Sequence, residues 1–241
     1  YDTTQYSKWL PGFTCFAQCR EKNKHGGLCV FVKENLIPGI KRLYEDFSNA
    51  IVILLDSKYF GFDLDVSIFF TYISPEGSPI YDNDEDGISI LESQLLQMYA
   101  NLAPVHMVLV GDMNARVGDL QDFICDDSSK HLPMDEWYQS DDFAMERKNR
   151  DEKINNYGFA LIEMCKSLNS HILNGRCDGD LNGEFTCSKG TGRSVVDYIA
   201  VNTDFFSYIE DFTVLSMDES DHFPIFCKIK AKSKCTVHEQ A

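Results

Sequence analysis

Two short stretches carry side chains whose types and spacing could break a phosphate ester. Gly111-Asp112-Met113-Asn114 sets a carboxylate and an amide two residues apart, so in extended chain both project to one side of the backbone. Ser220-Asp221-His222 adds a carboxylate beside an imidazole that titrates near neutrality and can hold a phosphate or move a proton. Asp197-Tyr198 and Thr71-Tyr72-Ile73, with Pro75, supply a further carboxylate and two phenols. Held at strand ends, such groups can bind a divalent cation and direct water at a phosphodiester. Gly111 leaves room for close approach by substrate. Each stretch also has a plainer reading. Gly-Asp-Met-Asn suits a turn whose side chains cap their own backbone, and Tyr72 suits the rim of an aromatic strand. Asp197 lies among Val195, Val196 and Ile199 and needs a partner, since burying a lone charge is costly; backbone groups or Arg193 could supply it.

The elements that must position these residues are short. Runs rich in β-branched and aromatic residues predict strands over 29–33, 50–55, 65–73, 106–110, 171–173, 184–187, 195–201, 212–215 and 223–229. Several are apolar at both parities, as when both faces of a strand are covered. Ile88, Leu91, Leu95 and Met98 fall at helical spacing over 88–101, as do Phe159, Ile162 and Cys165 over 155–168, where Asn155 suits the N-cap. Helices alternating with groups of strands predict layered α/β packing.

Composition sets the class. At 241 residues and 44% hydrophobic, the chain can bury one large core. It has no run of about 18 apolar residues, so no membrane span is expected. Its first residues are polar, without the apolar stretch of a signal peptide, and include no Met, so the chain reads as a fragment. Nine scattered cysteines without a CxxC pair suit reduced thiols of an intracellular protein better than a disulfide framework or zinc site. The net charge of −16 opposes nucleic acid as a partner. Sixteen acidic residues against five basic ones between Asp82 and Asp151 concentrate that charge, and 82–86 and 126–142 read as solvated insertions. Lys24, Arg116, Arg147, Lys148, Arg150, Lys189 and Arg193 could still form a local basic rim; for Arg147 and Arg150 solvated surface is the plainer expectation. No repeat or linker splits the sequence, so 1–229 is expected as one domain and 230–241 as a disordered tail. His25, in a His-Gly-Gly stretch, is a candidate substrate contact; the other histidines show no metal-site spacing.

The order of these motifs resembles the endonuclease/exonuclease/phosphatase superfamily, the group of DNase I and the apurinic endonucleases. The finer resemblance is to the endonuclease domain of LINE-type (non-LTR) retrotransposons. It is carried by Pro11-Gly12-Phe13, His25-Gly26-Gly27 before Cys29-Val30-Phe31-Val32-Lys33, Tyr72-Ile73-Ser74-Pro75-Glu76-Gly77-Ser78 and Val110 to Arg116. Arg147 with Asp151, Asn155 and Gly158, then Leu173-Asn174-Gly175-Arg176, Ser194 to Tyr198 and Ser220 to Ile225 complete it.

The resemblance implies a four-layer α/β/β/α sandwich of two mixed sheets and a nuclease using Mg or Mn to nick DNA, acting in the nucleus with a reverse transcriptase downstream in the same polyprotein. It assigns catalysis to Asp112, Asn114, His222, Asp197 and Tyr72, with Asp197 paired to His222. It assigns the metal to Asp221 and Asp112, and substrate contact to Asn114, Tyr72, Arg116 and His25. In the family, an Asn on the first strand and a Glu on the second, the principal metal ligand, precede all these segments. The chain is therefore expected to lack the first strands and that Glu; Glu34 lies too near Tyr72 in sequence to replace it. Two other readings stay open: a superfamily phosphatase or RNA nuclease, and an inactive remnant or interaction domain, which the acidity and missing Glu favour.

Overall fold

Apolar packing around Val30, Ile51 and Ile53 organises the first part of the chain. The computed structural model describes residues 8–19, 27–44, 47, 49–81, 86–102, 104–124, 145–190, 192–216 and 219–231. These fall into two compact units, 1–114 with 229–241, and 115–228. In the first unit β1 (Phe13–Cys19) pairs antiparallel with β2 (Gly27–Lys33). A 3-10 turn over Glu34–Gly39 leads into β3 (Ile40–Tyr44), followed by β4 (Ala50–Leu55) and β5 (Val66–Tyr72). Both β3 and β5 run antiparallel to β4. Helix α1 (Gly87–Asn101) then returns the chain so that β6 (His106–Asp112) lies parallel to β5, as a parallel pair requires.

Five of the six β4 residues are buried, so both its faces are covered. One face carries Ile51, Ile53 and Leu55 and packs with Phe16, Leu28 and Val32 of the β1–β2 pair and with Phe70 of β5. Helix α1 buries Ile88, Leu91, Leu95 and Met98, the spacing read from sequence, and Asp86 caps it by accepting from the Ser89 N–H at 2.8 Å.

In the second unit Asn155 caps helix α2 (Asn156–Ser167), its side chain accepting from the Gly158 and Arg116 amides, each at 2.8 Å. Strand β7 (Ser170–Ile172) pairs antiparallel with β10 (Asp197–Asn202). Between them in sequence, β8 (Cys187–Lys189) and β9 (Gly192–Ser194) form a hairpin, and β11 (Ile209–Val214) and β12 (Ile225–Ile229) pair beyond.

Several expectations need correction. Strands β1, β3 and β9 were not expected, and the strand expected over 184–187 forms over Cys187–Lys189. Phe159 is exposed, because the inward face of α2 runs through Tyr157, Leu161, Ile162 and Cys165. Arg147 is buried rather than solvated, donating through Nη2 to the carbonyls of Gly118 and Leu120 at 2.9 and 2.6 Å. His106 and His171 are core residues, bonded to Asp63 and Thr203. Among the described residues no helix is long and apolar enough to cross a membrane. Lys24, His25, residues 82–85 and 126–142, and the expected tail from 232 onward lie outside the described residues.

Candidate functional site

In the first unit, Tyr72 ends β5 and Asp112 ends β6, and the two are partners in register. In-register residues of parallel strands leave the sheet on one face, so phenol and carboxylate emerge together, both half-buried. Gly111, one step earlier, pairs with Thr71 at φ 147°, and a Cβ there would lie 1.8 Å from the Thr71 carbonyl oxygen. The glycine thus admits the neighbouring strand, where its sequence context pointed to substrate.

Beyond Asp112 the chain turns. Met113 is fully buried and Asn114 adopts the left-handed region at φ 46°, which Asn tolerates better than most residues. The Asn114 N–H donates to Asp112 Oδ1 at 2.9 Å, and its Nδ2 donates to the Ile73 carbonyl at 2.8 Å and to Asp112 Oδ2 at 3.3 Å. Carboxylate and amide therefore meet through a folded corner, so the reading of Gly-Asp-Met-Asn as a turn that caps its own backbone holds over the extended one. The result is a carboxylate held in one orientation by its own loop.

In the second unit, Asp197 opens β10 and its carboxylate meets His222 Nδ1 at 3.0 and 3.1 Å. An ionised carboxylate only accepts, so with Asp197 charged it is Nδ1 that carries the proton in this contact. The His222 segment is stitched to β8: His222 bridges Cys187, Phe223 N–H donates to the Thr186 carbonyl at 2.7 Å, and Ser188 N–H to the Asp221 carbonyl at 2.7 Å. Asp221 is exposed and pairs with Lys189 at 3.4 Å.

Arg116, assigned to substrate by the resemblance, is engaged within its own unit. Its guanidinium grips buried Asp151 through Nε at 2.7 Å and through Nη2, and this carboxylate raises its pKa. Asp151 also accepts from the Val195 N–H at 3.1 Å, so the pair braces the approach to Asp197. Sequence reasoning quoted Asp151, Asn174 and Thr186 only as motif or strand members. No local pattern marks a residue whose partners are backbone groups of distant segments.

No family model matches the sequence, and no curated protein does. Solved structures do match in fold. The endonuclease domain of TRAS1, a telomere-specific non-LTR retrotransposon, superposes with a TM-score of 0.59 at 13% identity, covering 93% of this chain and 83% of that one. The 3' phosphatase NExo from Neisseria, bound to a product DNA hairpin, gives 0.62 at 12% identity over 95% and 83% of the two chains. The AP endonuclease LMAP from Leishmania major gives 0.63 at 14% identity over 93% and 73%. The chain therefore has the α/β fold of the DNase I-like endonuclease/exonuclease/phosphatase proteins, as its motif order implied.

Proposed function

We propose that this chain hydrolyses phosphodiester bonds with a divalent metal and that its substrate is DNA, nicked in the manner of a retrotransposon endonuclease. The observation that carries the reading is the Asp197–His222 pair, with contacts of 3.0 and 3.1 Å, in a chain of this fold that also bears the Asp112–Asn114 corner. Similarity to the TRAS1 endonuclease domain and to DNA-bound NExo supports DNA as the substrate. The same resemblance would set the domain in the nucleus, ahead of a reverse transcriptase in its polyprotein.

Roles follow from the chemistry of each group. Asp197 holds the His222 ring through Nδ1–H and favours its protonated form, in which Nε2–H can donate to a phosphate oxygen as a general acid does. Asp112 aligns the attacking water and accepts its proton, and Asn114 keeps that carboxylate in one orientation. The Tyr72 hydroxyl donates to a non-bridging phosphate oxygen. Asp112 and Asp221 offer the hard oxygen donors that Mg or Mn prefers, and Asp221 is solvent-facing with only a surface pair to leave. A bound metal would supply charge stabilisation at the phosphate.

Nicking of supercoiled plasmid in Mg²⁺ or Mn²⁺, with and without EDTA, tests this. EDTA-sensitive nicking that Asp112→Ala abolishes is expected. The similarity to NExo keeps a second reading in view, so a 3'-phosphorylated hairpin and single-stranded RNA are run in parallel. Turnover of either in preference to plasmid would replace the endonuclease reading.

A further inference from the structure

Asp197 is held through its backbone as well as its carboxylate. The Thr186 Oγ1 accepts from the Val196 N–H and the Asp197 N–H, both at 3.0 Å. Asn174 Nδ2 donates to the Asp197 carbonyl at 3.1 Å, and Asn174 Oδ1 accepts from the Ile199 N–H at 3.3 Å. Thr186 is fully buried and Asn174 nearly so. The Thr186 backbone meanwhile donates to the Ser194 carbonyl at 3.0 Å and accepts from Phe223 N–H at 2.7 Å, one residue past His222. One side chain and its own peptide groups thus touch both segments that supply the Asp197–His222 pair.

We propose that Thr186 is the positioning residue of this pair: its hydroxyl fixes where the Asp197 carboxylate sits, and through it the tautomer of His222. The role rests on the proposed hydrolysis only for its consequence in turnover. A hydroxyl oxygen has two acceptor sites, and both are engaged by the converging amides. Serine can reproduce that arrangement. Valine has nearly the same shape but leaves the buried Val196 N–H and the part-buried Asp197 N–H without this acceptor, so the Val196–Asp197 peptides must move to find one. Asn174 secures the opposite side of the Asp197 peptide, which restricts the carboxylate to a single setting while Thr186 is intact.

The test reads His222 directly. Nitrogen-15 shifts of the His222 ring are recorded at about pH 8.5, where an ordinary imidazole is neutral, for the wild type, Thr186→Ser and Thr186→Val. The wild type and the serine variant are expected to show one Nδ1–H tautomer. The valine variant is expected to show a mixture, with plasmid nicking reduced about 100-fold, the scale of an ångström-sized misplacement of a reacting group, and restored by serine to within about 3-fold of wild type. A valine variant that keeps the single wild-type tautomer overturns the proposal. Should the valine variant fail to fold, amide exchange in the wild type and serine variant decides: slow exchange at Val196 and Asp197 in both supports Thr186 as their acceptor, and rapid exchange in either overturns it. A tautomer shift in a protein that cleaves no phosphodiester would leave the positioning role standing and remove the hydrolase reading instead.

Discussion

The Asp112–Asn114 corner and the Asp197–His222 pair each orient a carboxylate, but they do so over different distances in sequence. The corner is built from three consecutive residues and one carbonyl, that of Ile73. The pair needs Asn174, Thr186, Asp197 and His222, drawn from four segments and joined mostly through backbone groups. A local corner can survive changes elsewhere, whereas the pair is only as well ordered as the strands that bring it together. Substitutions at the corner should therefore alter chemistry with little change in stability, and substitutions under the pair should alter both.

The sharpest way to break this contrast is to truncate the imidazole. His222→Ala should lower the nicking rate by roughly 10²- to 10⁴-fold, the range for a lost acid/base or electrostatic group. Because the ring is partly exposed, the folded state should lose little. Plasmid nicking and urea denaturation of the same preparation separate the two effects. Near-wild-type nicking would remove His222 from the mechanism, and a large loss of stability would show that its role is structural.

Two buried carboxylates of the second unit sharpen the contrast through pH. Asp122 accepts from Arg176 Nη2 at 2.7 Å and from the Ile172 N–H at 2.7 Å. Burial pushes its pKa up, but His171, Arg176 and the Ile172 amide outweigh that and leave it lowered. The Asp180 carboxylate accepts from the Gly175, Gly183 and Glu184 amides rather than from a cation, and burial raises its pKa. Asp122 therefore adds stability that is full above the ordinary carboxylate pKa and lost as pH falls through its folded value. Asp180 acts in the other sense, its folded form growing less favourable as pH rises from the ordinary carboxylate value through its raised one. Asp122→Asn should cost about 3–5 kcal/mol at neutral pH, because Arg176 is left buried without its counter-charge. Asp180→Asn should cost about 1–3 kcal/mol, one amide losing its acceptor, with a smaller penalty at pH 7 than at pH 4. Urea midpoints at pH 7 and pH 4 check the sign for Asp180, and a series continued below pH 4 checks that for Asp122.

What the sequence revealed divides along the same line. Helix α1 was legible because Ile88, Leu91, Leu95 and Met98 repeat at the helical period, and β4 because AIVILL suits burial on both faces. The α/β class followed from their alternation. The partner of Asp197 came from resemblance, since nothing within 24 residues of it announces His222. At Gly-Asp-Met-Asn the sequence left an extended run and a self-capping turn both open, because two residues beyond a strand can continue it or fold back, and the Asn114 contacts to Asp112 and to the Ile73 carbonyl select the turn. Arg147 was misplaced for a related reason. A guanidinium surrounded by acidic sequence reads as solvated, yet carbonyls of Gly118 and Leu120 from a distant loop draw it inward.

Arg150 gives the smallest expected effect and tests the surface side of the comparison. Its guanidinium pairs with Glu184 and lies 5.6 Å from the Phe185 ring centroid, but about half of the Arg150 side chain and two fifths of Glu184 stay in water. An exposed pair gains little from Coulomb attraction in a high dielectric and loses side-chain freedom in forming, so Arg150→Ala should change stability by less than about 1 kcal/mol. Arg116, whose partner Asp151 is buried, is the counterexample within the same unit. If Arg150 contributes to holding DNA, its removal should also flatten the dependence of log affinity on log salt by about one unit, the effect of one lost phosphate contact. Filter binding of duplex DNA across a salt series measures that slope. An unchanged slope would leave Arg150 as solvated surface, and a stability loss comparable with that of Asp122→Asn would show that exposure is a poor guide to which ion pairs this protein depends on.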